Sequence, residues 1–214
     1  MRPKRFARIR QVLGRRQPDL TVLMDRVNKS HNFSAVLRTC DAVGILEVHV
    51  VPPERGLALH HDTSAGTGKW MVVRRHPSGA AAARTLKEAG FRIVAADPGE
   101  TSTDFREVDY TIPTAVLLGA ELFGVSEGAL KEADVHVRIP MMGMARSLNV
   151  SVAAALVLYE AQRQREKAGL YERSRIQPHR QGALLFEWTH PKLARTLRES
   201  GREYPELDES GEVR

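Results

Sequence analysis

The chain has 214 residues and one cysteine, Cys40, so it cannot form an internal disulfide. That usage fits a reducing compartment, and a cytoplasmic location is expected. No apolar run approaches the roughly 18 residues that span a bilayer. The longest, Val150 to Tyr159, is interrupted by Ser151 and followed by Glu160, so no membrane association is expected. The N-terminal "MRPKRFARIR" is basic but leads into no apolar segment, which excludes a secretory signal. No Cys/His cluster has ligand spacing, and His60 and His61 are adjacent, as in a solvated loop pair. No metal is expected.

Several nucleotide and hydrolase motifs are also missing. No G-x-G-x-x-G follows a strand-like segment. "TSAGTGKW" imitates a phosphate loop, but Thr63 stands in place of its first glycine and Trp70 in place of the hydroxyl residue that holds magnesium. There is no G-x-S-x-G elbow. These gaps exclude ATP, dinucleotide and serine-hydrolase readings. Internal repeats and low-complexity segments are absent too.

What is present is basic. Thirty-two lysines and arginines outweigh 26 acids, for a formal charge of +6. The excess lies at two places. Arg2, Lys4, Arg5, Arg8, Arg10, Arg15 and Arg16 face only Asp19 in the first twenty residues. Arg163, Arg165, Lys167, Arg173, Arg175 and Arg180 face only Glu166 and Glu172. The two sets form solvated faces or two arms that grip one polyanion. Arginine forks match phosphate, which favours the second reading. The tail ends acidic, with Glu203, Glu206, Asp208, Glu209 and Glu212.

Apolar spacing gives the order of elements. A basic amphipathic helix covers 3–16, and "LTVLMDRV" reads as a buried strand. "NFSAVLRTCDAVG" is a helix preceded by Asn32 and closed by Gly44, followed by the strand "EVHVV". A patternless loop is expected over 54–69. "WMVVRRH", "FRIVAAD", "TAVLLGAE" and "VHVRIP" read as further strands, with helices at "SGAAAARTLKEAG" and "SEGALKEA". "GETSTDFREVDYTIP" reads as a loop with at most one helical turn, and a long helix runs to about residue 167. Alternation of this kind predicts an α/β fold, a mostly parallel sheet with helices on both faces. The expected divisions are a basic helical extension at 1–18, an α/β domain at 19–167, and a C-terminal extension, basic then acidic, at 168–214.

Ligands of such sheets bind at the C-terminal ends of strands. Three ends stand out. In "NKSHNFSAVLRTCDAVG", Asn32 is a helix cap or a site residue, and Arg38 sits among apolar neighbours that leave its head in need of a partner. In "AVLLGAELFGVS", Gly119 admits a ligand close to the backbone, while Glu121 alone reads as a turn carboxylate or a ligand-orienting group. In "IPMMGMARSLNVSVAAALVLYEAQRQR", Ser147 and Asn149 flank a helix start, where amides are free. Asn149 also suits a plain N-cap. Met141, Met142 and Met144 either fill core or shape an adaptable wall. The loop suits an apolar-sided pocket for a nucleoside-like ligand.

These three segments resemble the three motifs of the SpoU/TrmH-type ribose 2'-O-methyltransferases of the SPOUT class, in order and over about residues 3–173. The resemblance implies an enzyme transferring methyl from S-adenosylmethionine to a ribose 2'-hydroxyl, leaving S-adenosylhomocysteine. The flanking segments favour tRNA as substrate. The alternatives are an rRNA ribose, another tRNA ribose, or an inactive RNA-binding relative. It also implies a C-terminal deep trefoil knot (the α/β-knot fold) and a homodimer whose sites lie near the interface.

By position, Arg38, Asn32, Glu121, Ser147 and Asn149 match the catalytic set. Ala96, Gly119, Ile139, Met141 and Leu148 would hold the cofactor, largely through backbone. Arg8, Arg10, Arg15, Arg16, Arg163, Arg165 and Arg173 would contact RNA. Two departures exist: Ala96 stands where relatives often carry Thr, and Ala145-Arg146 replaces the usual Val-Gln.

Overall fold

A computed structural model describes residues 2–53, 69–99 and 101–214. These residues form two compact units, one of residues 18–169 and one of residues 1–17 with 170–214. The loop expected over 54–69 lies, up to residue 68, outside the described residues.

The larger unit is built on seven strands: β1 (Leu20–Asp25), β2 (Glu47–Val51), β3 (Val72–Arg75), β4 (Arg92–Ala96), β5 (Thr103–Asp104), β6 (Thr114–Leu118) and β7 (Val135–Arg138). Their order across the sheet is β3-β2-β1-β6-β4-β7-β5, and every pairing is parallel. β1 and β6 are buried at every position. A parallel sheet needs cover on both faces, and the alternation shows where each cover lies. Leu20, Val22, Met24, Val116 and Leu118 pack with side chains of helices α2 (Ser30–Ala42) and α5 (Val150–Lys167). Leu23, Ala115 and Leu117 pack with those of α3 (Gly79–Glu88) and α4 (Glu127–Leu130). Burying each such side chain contributes about 1.5–3 kcal/mol.

The chain moves outward from β1 through β2 to β3, then returns to β4 on the far side of β6. That reversal opens a crevice above the strand ends of the sheet's middle, and it brings the ends of β6, β4 and β7 together.

Two local features depart from expectation. The segment read as a loop before β6 contains β5, which pairs with β7, while its 3-10 turn over Phe105–Glu107 is the one helical turn expected there. A two-residue edge strand is too short to show alternation. Helix α2 also starts earlier, at Ser30, so Asn32 lies in its first turn rather than before it, and it is buried.

In the smaller unit, α1 (Pro3–Gly14) buries Phe6, Ile9 and Leu13, and it packs with α6 (Pro178–Thr189). Helix α7 (Pro191–Glu199) follows. The acidic end is ordered by a turn. Asp208 Oδ1 accepts from the amides of Ser210 and Glu212, at 2.8 and 2.9 Å. Leu207 bridges Val213. Gly211 has φ 85° and lies against Phe6, where an added Cβ would come within 2.5 Å of the ring. His190 Nε2 meets the Gly211 carbonyl at 2.7 Å.

Candidate active site

Strand β6 ends in a tight loop. Ala120 and Gly124 exchange backbone hydrogen bonds of 2.9 and 2.7 Å, folding residues 120–124 back on themselves. A Cβ at Gly119 would lie 2.1 Å from Gly124 C and Val125 N. The chain's own backbone approaches closely enough here to require glycine, and Gly119 lines the cleft described below as well. The loop's far side is pinned by Asp25, at the end of β1, whose Oδ2 accepts from the Ser126 amide at 2.8 Å.

This loop presents Glu121, and two further chain segments converge on it. Its Oε1 accepts from Asn32 Nδ2, on α2, and from Asn149 Nδ2, at 2.9 Å, at the head of α5. Its Oε2 pairs with Lys29 Nζ. Asn149 Nδ2 also lies 3.2 Å from Asn32 Oδ1. The Lys29 ammonium, helped by the Asn32 amide, outweighs desolvation and holds the Glu121 carboxyl below its ordinary value. Both oxygens of the Glu121 carboxylate are engaged, by Asn32 and Asn149 on one side and Lys29 on the other.

Asn149 serves two ends with one side chain. Its Oδ1 caps α5, accepting from Ser151 N at 2.9 Å and Ser151 Oγ at 2.6 Å. Its amide donors reach across to Glu121. The plain-cap reading of this residue holds, and the same side chain reaches Glu121 besides.

Beside this cluster lies a cleft of about 250 Å3. Ala96, Gly119, Ile139, Met141 and Leu148 all line it, together with Glu121 and Ser147. Leu118, Val137 and Val157 complete an apolar wall, and Arg138 and Arg146 stand in its lining. The whole cleft belongs to the unit of residues 18–169.

Some expected residues are placed otherwise. Arg38 is exposed on α2, does not line the cleft, and makes no hydrogen bond or ion pair among the described residues. Met142 and Met144 are 95% and 99% exposed, so neither fills core or walls the cleft; only Met141 does. Arg165 is fully buried. Its guanidinium bonds Asp19 Oδ1 at 2.7 Å and the carbonyls of Tyr110, Asp19 and Ile112 at 2.8, 3.1 and 3.0 Å. A guanidinium whose donors are spent on internal acceptors cannot serve RNA, which corrects the expectation for this residue. Arg16 is corrected likewise. It is buried, with its guanidinium 5.3 Å from the Trp188 ring centre.

Arg8, Arg10, Arg15 and Arg173 are exposed, as is Arg163, which pairs with Glu160 at 2.7 Å. Sequence reasoning passed over Lys29, because a lysine before a helix carries no mark of a carboxylate on another strand's loop. It also left out Arg2, Lys4 and Arg5, which border a groove at the head of α1 with Thr189 and His190.

Comparison with known proteins agrees with this fold. Residues 19–159 match the model of the SpoU rRNA Methylase family, and residues 163–214 that of the SpoU rRNA methylase C-terminal region. A tRNA (guanosine(18)-2'-O)-methyltransferase of Thermus thermophilus is 58% identical over 184 residues, covering 86% of this chain and 95% of the relative. The crystal structure of the A. aeolicus TrmH/SpoU tRNA modifying enzyme is similar at TM-score 0.81 and 44% identity, over 86% of this chain and 94% of that one. The SpoU methyltransferase AviRb of Streptomyces viridochromogenes, in complex with the cofactor AdoMet, is similar at TM-score 0.63 and 30% identity, over 71% and 62%.

Proposed function

The chain belongs to the SpoU rRNA methylase family, and from that premise we propose that it methylates the ribose 2'-oxygen of guanosine 18 in tRNA, with S-adenosylmethionine as donor. The observation that carries this is the meeting of Asn32, Glu121 and Asn149 beside an apolar cleft at the strand ends. The activity named for the Thermus thermophilus relative supports the choice of nucleotide.

The cleft's chemistry fits the donor. Leu118, Val137, Ile139 and Leu148 give walls for an adenine or thioether, and Ala96 and Gly119 give strand-end backbone for polar edges. About 250 Å3 falls just below the ~300 Å3 where small-molecule pockets begin. The donor, when bound, supplies an electrophilic methyl on sulfonium.

The protein's share of the work is alignment and care of one proton. Asn32 and Asn149, fixed by Glu121, hold the polar side of the site rigid, and Ser147 adds a hydroxyl at the cleft. Arg38 seats the phosphate of the target nucleotide and positions its ribose. A guanidinium keeps its proton at neutral pH, so phosphate or water takes the hydroxyl proton.

The working form is a homodimer with each site near the interface. Two features favour it. Val152, Leu156 and Tyr159 form an exposed apolar stripe at helical spacing on α5. Arg38, idle in one chain, lies on α2, which packs against α5. The strand ends and the loop at 139–149 belong to a C-terminal trefoil knot, and the exposed arginines Arg8, Arg10, Arg15, Arg163 and Arg173 contact tRNA backbone.

Mass mapping of ribose methylation on tRNA incubated with the protein and donor tests the proposal. A new 2'-O-methyl group at guanosine 18 is the expected result. Methylation confined to another nucleotide, or none, overturns it.

A further inference from the structure

The charges around the cleft do not balance. Among the described residues its one carboxylate, Glu121, is neutralised by Lys29 Nζ. Two guanidiniums remain in the lining. Arg138 is opposite Asp104 in the β7–β5 pairing and sits in that carboxylate's field. Arg146 has no such counterpart: it is exposed to solvent, lines the cleft, and makes no hydrogen bond or ion pair among the described residues. Its place is nonetheless defined. Three residues on, Asn149 is tied at both ends of its side chain, to Glu121 and to the head of α5.

We propose that Arg146 receives an anionic group of the RNA, a backbone phosphate adjoining the acceptor ribose. The proposal rests on the methyltransferase reading above and adds to it a specificity-determining contact. An uncompensated cation at the edge of an otherwise apolar, charge-neutral cleft attracts an anion there. A guanidinium fork offers a positive charge and two parallel donors to phosphate oxygens, where an amide side chain is uncharged and its two donors diverge from one nitrogen. The neighbour Ser147 lines the same cleft, so the phosphate held by Arg146 lies beside the sugar to be modified. The donor's own carboxylate has the same chemistry, and the experiment separates the two sources.

The test uses full-length wild type, Arg146→Gln and Arg146→Lys, with unmodified tRNA. The tRNA dissociation constant is measured from about 50 to 200 mM salt, and donor affinity separately by calorimetry. Loss of one phosphate contact reduces the slope of log affinity against log salt by roughly 0.7–0.9. Arg146→Gln is expected to show that reduction, with tRNA affinity at least fivefold weaker at low salt and donor affinity within twofold of wild type. Arg146→Lys should keep the slope while binding tRNA more weakly than wild type. An unchanged slope and tRNA affinity in Arg146→Gln overturn the inference. So does a fivefold loss of donor affinity with tRNA binding intact, which assigns Arg146 to the donor carboxylate. A wild type that modifies no tRNA brings down the underlying reading and this contact with it, whereas an active wild type with a silent Arg146→Gln sinks the contact alone.

Discussion

Asn149 Nδ2 donates to Glu121 Oε1 at 2.9 Å, joining the N-cap of the last core helix to the loop after the central strand β6. One hydrogen bond thus couples a helix start to a strand end. The same asparagine caps its helix, so its two functions are separable only by substitutions that spare one of them.

Asn149→Ala removes both roles. Loss of the cap costs about 1 kcal/mol, and methyl transfer should fall at least a hundredfold. Asn149→Ser keeps a capping oxygen but cannot reach Glu121. It should regain most of the thermal midpoint and little of the activity. Parallel melting and single-turnover measurements check this; equal recovery of both would show the cross-link to Glu121 to be idle.

At Gly119 the loop itself leaves no room. Gly119→Ala places a Cβ 2.1 Å from Gly124 and Val125 backbone atoms, which no side-chain rotation relieves. The variant should lose at least about 3 kcal/mol of stability, and donor affinity should fall with it, because Glu121 sits on the displaced loop. Calorimetric titration of the folded fraction reads the second effect.

Arg38→Ala should abolish transfer while leaving donor affinity within about twofold, since Arg38 lies outside the cleft. Its exposure means the melting point should not move. Turnover like that of wild type would remove Arg38 from the mechanism.

His49 is mostly buried on β2, and its Nδ1 lies 2.8 Å from His76 Nε2. Desolvation drives its pKa down to about 4, against the opposing pull of Glu47; His76 and Arg74 lower it further. A histidine depressed in the folded state takes up its proton first in the unfolded chain. Stability from this residue is therefore full above about pH 6.5 and declines as pH falls towards 4, with a slope of at most about 1.4 kcal/mol per pH unit. His49→Leu should flatten that part of the stability–pH curve. An unchanged slope in urea melts between pH 7 and 4.5 would contradict the assignment.

Arg165→Ala leaves Asp19 and three carbonyls without their cation, and should cost about 3–5 kcal/mol. Arg173→Ala, at an exposed position, should leave stability within about 0.5 kcal/mol and weaken tRNA binding with a shallower salt response. Melting curves and salt-dependent binding separate an internal tie from an external contact.

Most of the sheet was legible because fully buried strands write themselves as apolar runs. "LTVLMD" and "TAVLL" have no polar face to confuse with a helix. The two-residue β5 wrote nothing. The arginines show a different limit. Arg165 was grouped with its basic neighbours, yet it lies four residues beyond Ala161 and seven beyond Leu158, on the helix's buried stripe. Arg16 similarly lies three residues beyond Leu13, which α1 buries. Spacing could have flagged both; charge type could not.

The cleft residues Ala96, Ile139 and Leu148 came from the motif resemblance, since backbone contacts leave no trace in side-chain pattern. Lys29 was invisible because its partner is distant in sequence, and only the fold brings opposite charges together.

The pairing of α1 with α6 has a consequence for biosynthesis. Helix α1 must keep the apolar faces of Phe6, Ile9 and Leu13 uncovered until α6, which follows the whole larger unit, has been translated. During that interval the nascent arm is a client for chaperones, and a premature stop codon downstream of the catalytic unit would strand it permanently.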